Sequence, residues 1–584
     1  MNTKSDVSIV ISGEAGQGIQ SIEAMLTAIA KKASFHVFAT KEYMSRVRGG
    51  CNSTEIRVSR ERVAAMVDRV DVFIPLIAEA VPHLGKRITD ATVVIGEKSV
   101  VGYEGMIDIP LREIAAGAGG TIYSNTVAVG ALCALLGIDE AVCATGVREF
   151  FEKKGAAIQD ANVDALRRGY ERGKALAPAV PIDLGADPAR TAAGDMMLTG
   201  AEAIALGAIA GGCDYVSAYP MSPGTTVLAA MADYSRDFDV VVEQVEDEIG
   251  VANMALGAWY AGARALVTTS GGGFALMGEA VSLSGAIETP LVVHVAQRPG
   301  PATGLPTRTE QGDLNLAIHA GHGDFLRVVL APGDLEEGYE LGRAAFGIAD
   351  RYQSPVFILS DQYFVDSYYT TPPFAAPDAI PPPRVIETKA DYRRYALGSP
   401  DGISPRGVPG RGAGIVCVDS DEHDEGGYIT EDPAMRRAMV AKRLAKIAAA
   451  RKDAIPPRLF GDPEYRILVV GWGSVKMPVL EAMETVARPG IAYLHFPWVH
   501  PLPAEASGYL EAATIRVAVE GNATGQFADV LEAATGTRVD ERILKCDGAQ
   551  FSVEELAERL AEIVDGTSKT VDGTSGAVNG GRGA

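Results

Sequence analysis

Short apolar runs that end in glycine- or proline-bearing loops and then hand over to helices recur along this 584-residue chain. No other feature restricts its fold as much. Strands read at 215–218, 239–242, 264–268, 291–296, 325–330 and 356–359, with helices between them and a leading helix at 200–211. Strand alternating with helix at that spacing implies a parallel sheet covered on both faces. The N-terminal stretch repeats the logic: strand 7–11, glycine-rich turn 13–18, helix 19–32 with apolar residues at helical spacing. Further strands read at 72–77, 91–95 and 106–109, and helices at 126–136 and 138–151. A third series opens at 465–471 and continues through strands 491–495 and 515–520, with helices 475–487, 504–512, 523–534 and 552–564. The fold class is therefore α/β, as three open α/β domains.

Composition shifts mark the joints. Residues 178–190 are rich in Pro, Ala and Asp and lack periodicity, so they read as a linker. A Pro/Gly-rich crossing ends in the acidic cluster Asp419 to Glu425 and precedes a basic, Ala-rich helix at 434–451. The expected division is a domain over 1–177, the linker, a domain over 191–380, a crossing segment over 381–460 and a domain over 461–566. Residues 567–584 carry VDGTS-like repeats without core residues and read as a disordered tail.

With 75 acidic and 53 basic residues, the formal charge is −22. Such a surface repels phosphate backbones and anionic lipid, so neither nucleic acid nor membrane is an expected partner. The apolar run at 7–12 is too short for a signal sequence or a membrane span, and the chain reads as cytoplasmic. Cys51, Cys133, Cys143, Cys213, Cys417 and Cys546 are too scattered for a zinc knuckle or an iron–sulfur run, so no metal ligands are expected.

Five stretches carry candidate chemistry. Gly13-Glu-Ala-Gly16-Gln-Gly18 lies between strand and helix, where backbone N–H groups can face an anion. Its spacing fits neither the dinucleotide nor the Walker pattern, so a plain tight turn explains it equally well. Arg46 and Arg48 nearby form either an anion clamp or a solvated basic loop. Tyr219-Pro-Met-Ser-Pro-Gly-Thr-Thr226 places Ser222, Thr225 and Thr226 at a strand's C-terminal end, where open α/β sheets bind ligands. Among Glu243, Glu246, Asp247 and Glu248, the first three suit helix-dipole partners. Glu248 heads a helix that is nearly apolar throughout, and a buried carboxylate needs a partner or keeps its proton. Gly271, Gly272 and Gly273 either let a ring approach the backbone or simply form a flexible turn. Arg298 ends another strand, as a substrate-carboxylate clamp or a surface cation. Three strand-end loops of one sheet bring hydroxyls, a carboxylate and a guanidinium toward one edge, and that convergence is harder to explain structurally than any single motif.

At GEAGQGIQ and VRGGCNSTEIRVS, then YPMSPGTT, VEDEIGVANMALGA, TTSGGGFALM and HVAQRPGPATGLPTRTEQGDL, the chain resembles the α subunit of 2-oxoacid:ferredoxin oxidoreductases, with the family's γ domain fused N-terminally. SDEHDEGGYITED and LVVGWGS are similar to the same family. The resemblance implies a thiamine-diphosphate pyrimidine-binding fold, a transketolase C-terminal-like domain, and oxidative cleavage of a 2-oxoacid to CO2 and acyl-CoA with electrons passed to ferredoxin. It implies that Glu248 hydrogen-bonds the cofactor's aminopyrimidine and relays a proton shift, and that Arg298 binds the substrate's carboxylate end. Ser222 stands where the family has threonine, keeping the hydroxyl and losing a methyl. Tyr219, Pro220, Gly271 and Gly272 fall on cofactor contacts, Thr303 and Arg308 near the variable side of the pocket, and Gly13, Gly16 and Gly18 with Arg46 or Arg48 on a coenzyme A site.

No G-D-G and no cysteine run occurs. A β subunit is therefore expected to supply the Mg-diphosphate grip and a [4Fe-4S] cluster, in an α2β2 heterotetramer. The 2-oxoglutarate members look most similar, giving succinyl-CoA. A second basic group must then pair the distal carboxylate, either Arg308 or a lysine of the partner, unless Arg308 is salt-bridged to Glu310. Alternatives are a branched-chain or pyruvate enzyme, or a non-catalytic nucleotide- or CoA-binding subunit. The last leaves Ser222, Glu248 and Arg298 unexplained.

Overall fold

A computed structural model describes residues 6–44, 50–177, 180, 182, 184 and 192–566. Arg46 and Arg48, most of the stretch read as a linker and the tail from 567 lie outside the described residues. The chain divides into two units: Met1–Thr199 with Asp366–Pro373 and Ser552–Glu554, and the remainder.

The first unit holds an eight-stranded sheet. Its order is Ile107–Asp108, Val93–Gly96, Val72–Pro75, Asp6–Gly13, Asn52–Ser59, His36–Glu42, Tyr368–Thr371 and Met196–Thr199. The half from Ile107 to Gly13 is parallel, and the other half is antiparallel. Alternate side chains of the opening strand go to opposite faces, as pleating requires. Val7, Ile9 and Ile11 join Ile22, Met25, Leu26 and Ile29 of helix Ile19–Lys32, while Val10 joins Phe73 and Val94.

Strands His36–Glu42 and Asn52–Ser59 are absent from the sequence reading. For the second strand the reason is polarity: in NSTEIRVS only Ile56 and Val58 are apolar. The buried polar groups are instead paired, Arg57 with Asp6 at 2.7 Å and Thr54 Oγ1 donating to Glu23 at 2.9 Å. Helix Ala156–Leu176 was likewise not anticipated.

The second unit contains two sheets. The larger runs Trp498–His500, Val328–Leu330, Pro355–Asp361, Leu291–Gln297, Ala265–Thr269, Tyr215–Ala218 and Val241–Gln244. All pairs are parallel except the one to Trp498–His500. Val267 sits in register with Ser217 on one side and Val293 on the other. Ala265–Thr269, Leu291–Gln297 and Pro355–Asp361 are buried along their whole length, which is why they read as unbroken apolar runs. The smaller sheet runs Arg458–Gly461, Ile491–His495, Ile467–Gly471, Ile515–Glu520 and Glu541–Leu544. Arg458–Gly461, Trp498–His500 and Glu541–Leu544 escaped the sequence reading because they are edge strands of three or four residues, too short to show a period.

Helix Pro433–Lys452 starts at Asp432, whose carboxylate accepts from Ala434 N–H at 3.0 Å. It docks through charge. Fully buried Glu288 accepts from Lys442 at 2.5 and 2.6 Å and lies 2.7 Å from the Lys446 ammonium. Burial pushes the Glu288 pKa up, but the two lysines outweigh it and hold the carboxyl far below its usual range. A second cluster joins the two sheets of this unit: Glu337 accepts from Lys476 at 2.6 Å and His495 at 2.8 Å.

Candidate active site

Three neighbouring parallel strands, ending at Ala218, Thr269 and Gln297, release their loops at one edge of the larger sheet. In an open parallel sheet that edge is where ligands are held. The first loop carries Tyr219, Pro220 and Ser222, all exposed. The third begins with Arg298, which is 9% exposed and donates from Nη1 to the Ser222 carbonyl at 2.7 Å. That bond locks two of the sequence-predicted residues together and leaves the Ser222 side chain exposed.

Glu248 opens helix Glu248–Ala261, and the cap is its neighbour: Asp247 accepts the Gly250 N–H at 2.7 Å. Relieved of capping, the Glu248 side chain turns inward, 4% exposed, with Oε1 buried and unpartnered. A Cβ on Gly273 would lie 2.5 Å from that oxygen, so the glycine makes the space the carboxylate occupies.

The glycine triplet is not a flexible turn. It forms the first residues of helix Gly271–Leu276. A Cβ on Gly271 would overlap the Asp313 carboxylate, and only Gly272 has room, its nearest neighbour being the Ala302 carbonyl at 3.7 Å. Two of the three glycines thus admit side chains of this chain rather than an external ring.

Asp313 is the residue the sequence reading missed. It stands in the quoted TRTEQGDL stretch, and the only local signal is an acid after glycine. Its N–H donates to Gln297 Oε1 at 3.0 Å, and Gln297 in turn donates to the Ser360 carbonyl at 3.0 Å. Burial pushes the Asp313 pKa up to about 6 although the Arg298 charge pulls it down. The same burial lowers the Arg298 pKa, with Asp313 opposing. Behind them, His294 Nδ1 lies 2.9 Å from Thr268 Oγ1, which donates to the Gly224 carbonyl at 3.0 Å, and His294 Nε2 lies 2.7 Å from Ser360 Oγ. Burial lowers the His294 pKa to about 3, so the ring is neutral and structural.

Glu248 Oε1, Ser270 Oγ, Arg298 Nε and Asp313 Oδ2 are all buried without hydrogen-bond partners. Folded proteins pair almost all such atoms. Other such atoms are scattered through the described residues, but these four gather around the ends of neighbouring strands and the helix Gly271–Leu276, where polar groups of a ligand can meet them. Thr303 is exposed on the third loop, and Arg308 is half-buried with its Cβ 3.1 Å from where a Cβ on Gly548 would lie.

The glycine loop of the first unit forms a separate site. Gly16 and Gly18 adopt left-handed φ of 90° and 79°, and a Cβ on Gly18 would overlap the Asn125 amide. A cavity of about 320 Å³ opens there, lined by Gly16, Gln17, Gly18, Arg112, Ile122 and Asn125 among others. Gly13 packs against Leu76, within 2.9 Å for a Cβ, and closes the loop instead of lining the cavity. Arg112 is the guanidinium the described residues place here, 3.8 Å from Glu97.

Among the described residues no group of three or more His, Cys, Asp or Glu is placed to hold a metal ion. No helix among them is long and apolar enough to cross a membrane.

Residues 206–442 match the model described as pyruvate flavodoxin/ferredoxin oxidoreductase, thiamine diP-bdg, and residues 8–172 match pyruvate ferredoxin/flavodoxin oxidoreductase. The α subunit of 2-oxoacid:ferredoxin oxidoreductase 2 from Aeropyrum pernix is 30% identical, with 96% of this chain and 98% of that one covered. The 2-oxoglutarate oxidoreductase subunit KorA of Mycobacterium tuberculosis is 29% identical over 96% of this chain and 93% of its own. Among solved structures, 2-oxoglutarate:ferredoxin oxidoreductase from Magnetococcus marinus, with 2-oxoglutarate, coenzyme A and succinyl-CoA bound, superposes with a TM-score of 0.88 at 31% identity. The match covers 96% of this chain and 99% of that one.

Proposed function

The chain belongs to the 2-oxoacid:ferredoxin oxidoreductases as an α subunit, and from that premise we propose that its larger sheet supplies one half of a thiamine-diphosphate site. The reaction is oxidative decarboxylation of 2-oxoglutarate to succinyl-CoA with reduction of ferredoxin. The observation that carries this reading is the buried, unpartnered Oε1 of Glu248. It suits an aminopyrimidine ring, whose ring nitrogen is an acceptor that can share one proton with a carboxyl group: the acid donates when protonated, and the ring nitrogen donates once the proton has moved to it.

When bound, the cofactor supplies a nucleophilic carbon that permits cleavage next to the substrate carbonyl. Glu248 accepts and returns the proton on the pyrimidine side from a position shielded from solvent. Arg298, steadied by its bond to Ser222, has an Nε without a partner that serves the substrate carboxylate, and the exposed Ser222 serves the 2-oxoacid head. Tyr219 and Pro220 border the cofactor from the first loop. Gly272 offers it the one open backbone position of the triplet, while Gly271 acts through Asp313. Residues Gly16 and Gly18, with Arg112, hold the phosphates of coenzyme A in the first unit's cavity. Magnesium, the diphosphate and a [4Fe-4S] cluster belong to a β partner, in an α2β2 assembly.

The names of the relatives support 2-oxoglutarate as substrate. The test is kcat/KM of the assembled complex for 2-oxoglutarate, pyruvate and 2-oxoisovalerate with a viologen acceptor. Preference for 2-oxoglutarate is expected, and preference for either uncharged-tail acid contradicts the assignment.

A further inference from the structure

Arg298 and Asp313 are both buried and feel each other's charge, Asp313 being tied by its N–H to Gln297 next to the arginine, yet no ion pair joins them, and the Oδ2 of the aspartate and the Nε of the arginine have no partner. A pair present only for stability closes on itself, because a buried charge left unpaired is costly. Here the arginine is turned aside to the Ser222 carbonyl. The aspartate is fixed from behind, by its N–H to Gln297 and by the gap at Gly271, which no other residue type could leave open. The two groups are therefore held apart from full pairing, each with hydrogen-bonding capacity to spare.

On the reading that Arg298 takes the substrate carboxylate, we propose that Asp313 is a positioning residue that couples substrate binding to the uptake of one proton. An incoming carboxylate claims the Arg298 charge and brings a second negative charge next to Asp313. Two carboxylates cannot both stay ionised beside one guanidinium in a dry site. Asp313 takes a proton from solvent, and its new O–H becomes a donor to the substrate oxygens. The other groups facing Asp313 do not replace this role. Glu310 is acidic and is itself pushed toward protonation by burial and by Asp313, Gln297 and Gln526 are neutral, and Glu248, from its own helix, lies against Gly273, two residues beyond Gly271.

An elevated starting pKa helps: with Asp313 near 6 in the free site, the group is mostly ionised at pH 7 and has a proton to gain. KM for the 2-oxoacid then rises several-fold between pH 6.5 and 7.5, and the rise disappears in Asp313→Asn, whose amide donates without titrating.

The direct test is calorimetric titration of the assembled α–β complex with 2-hydroxyglutarate, which has both carboxylates and no carbonyl to react. Runs at pH 7 in phosphate and in Tris give the protons taken up per ligand bound. Wild type is expected to take up close to one, and Asp313→Asn close to none. Asp313→Ser serves as the second variant should the amide impair assembly. Equal uptake by wild type and variant, with binding lost in Arg298→Ala, overturns the role of Asp313 and leaves the proposed function standing. Unchanged binding in Arg298→Ala overturns both.

Discussion

Two buried carboxylates in the same unit meet opposite fates. Glu288 is enclosed by Lys442 and Lys446, with both oxygens hydrogen-bonded. Glu248 is almost as buried, but one oxygen has nothing to bind. The first is finished within the chain. On the proposed function, the second is finished by the cofactor. Burial alone does not separate the two acids; the unmet hydrogen bond of Glu248 does.

The comparison is broken most sharply by the same isosteric change at both positions. Glu248→Gln is expected to lower turnover of the assembled complex by about 10²–10⁴-fold, the usual worth of a positioned acid–base group, with the thermal midpoint and assembly unchanged. Glu288→Gln is expected to do the reverse. It leaves two buried ammonium groups with no counter-charge and costs about 3–5 kcal/mol of stability, while the folded fraction keeps wild-type KM. Urea unfolding beside steady-state kinetics reads both, and a stability loss at Glu248 or a catalytic loss in folded Glu288→Gln erases the distinction.

Arg298→Ala extends the test to the cation. Leaving a desolvated substrate carboxylate without its partner costs about 2–5 kcal/mol, so KM for the 2-oxoacid rises by orders of magnitude, and a change confined to kcat would place Arg298 elsewhere.

The smallest effect sharpens the contrast from below, at His294. Its pKa is lowered by burial to about 3, so the folded state binds fewer protons than the unfolded one between that value and about 6.5. Its stabilising contribution is complete above pH 6.5 and is lost as pH falls toward 3, at up to about 1.4 kcal/mol per pH unit. Urea midpoints at pH 7, 6 and 5 should fall in wild type and fall less steeply in His294→Asn. Identical slopes would mean that the ring is not kept neutral by its burial.

Much of this was legible in sequence because parallel sheets advertise themselves. Continuous apolar runs such as LVVHVAQ locate central strands, and the loops after them are the ligand edge by topology alone. Glu248 stood out because an acid at the head of an apolar helix has nowhere wet to go, and Arg298 and Ser222 followed from strand ends. Asp313 did not stand out. It lies in a loop without periodicity, and only the folded chain brings it back onto Gly271. The glycine triplet misled for a related reason: sequence shows where a side chain is missing, not whose side chain fills the gap. Strand Asn52–Ser59 is hidden because most of its buried positions are polar, with Arg57 and Thr54 paired by Asp6 and Glu23 from elements distant in sequence.

The central claim is that Glu248 completes its hydrogen bonds on thiamine diphosphate and moves a proton there. It is tested most directly by quenched-flow NMR on the assembled complex loaded with the cofactor, following the entry of solvent deuterium at the thiazolium carbon. Exchange should be fast in wild type and slower by at least about 10²-fold in Glu248→Gln, with the cofactor still bound. Equal exchange rates in the two proteins would contradict the account.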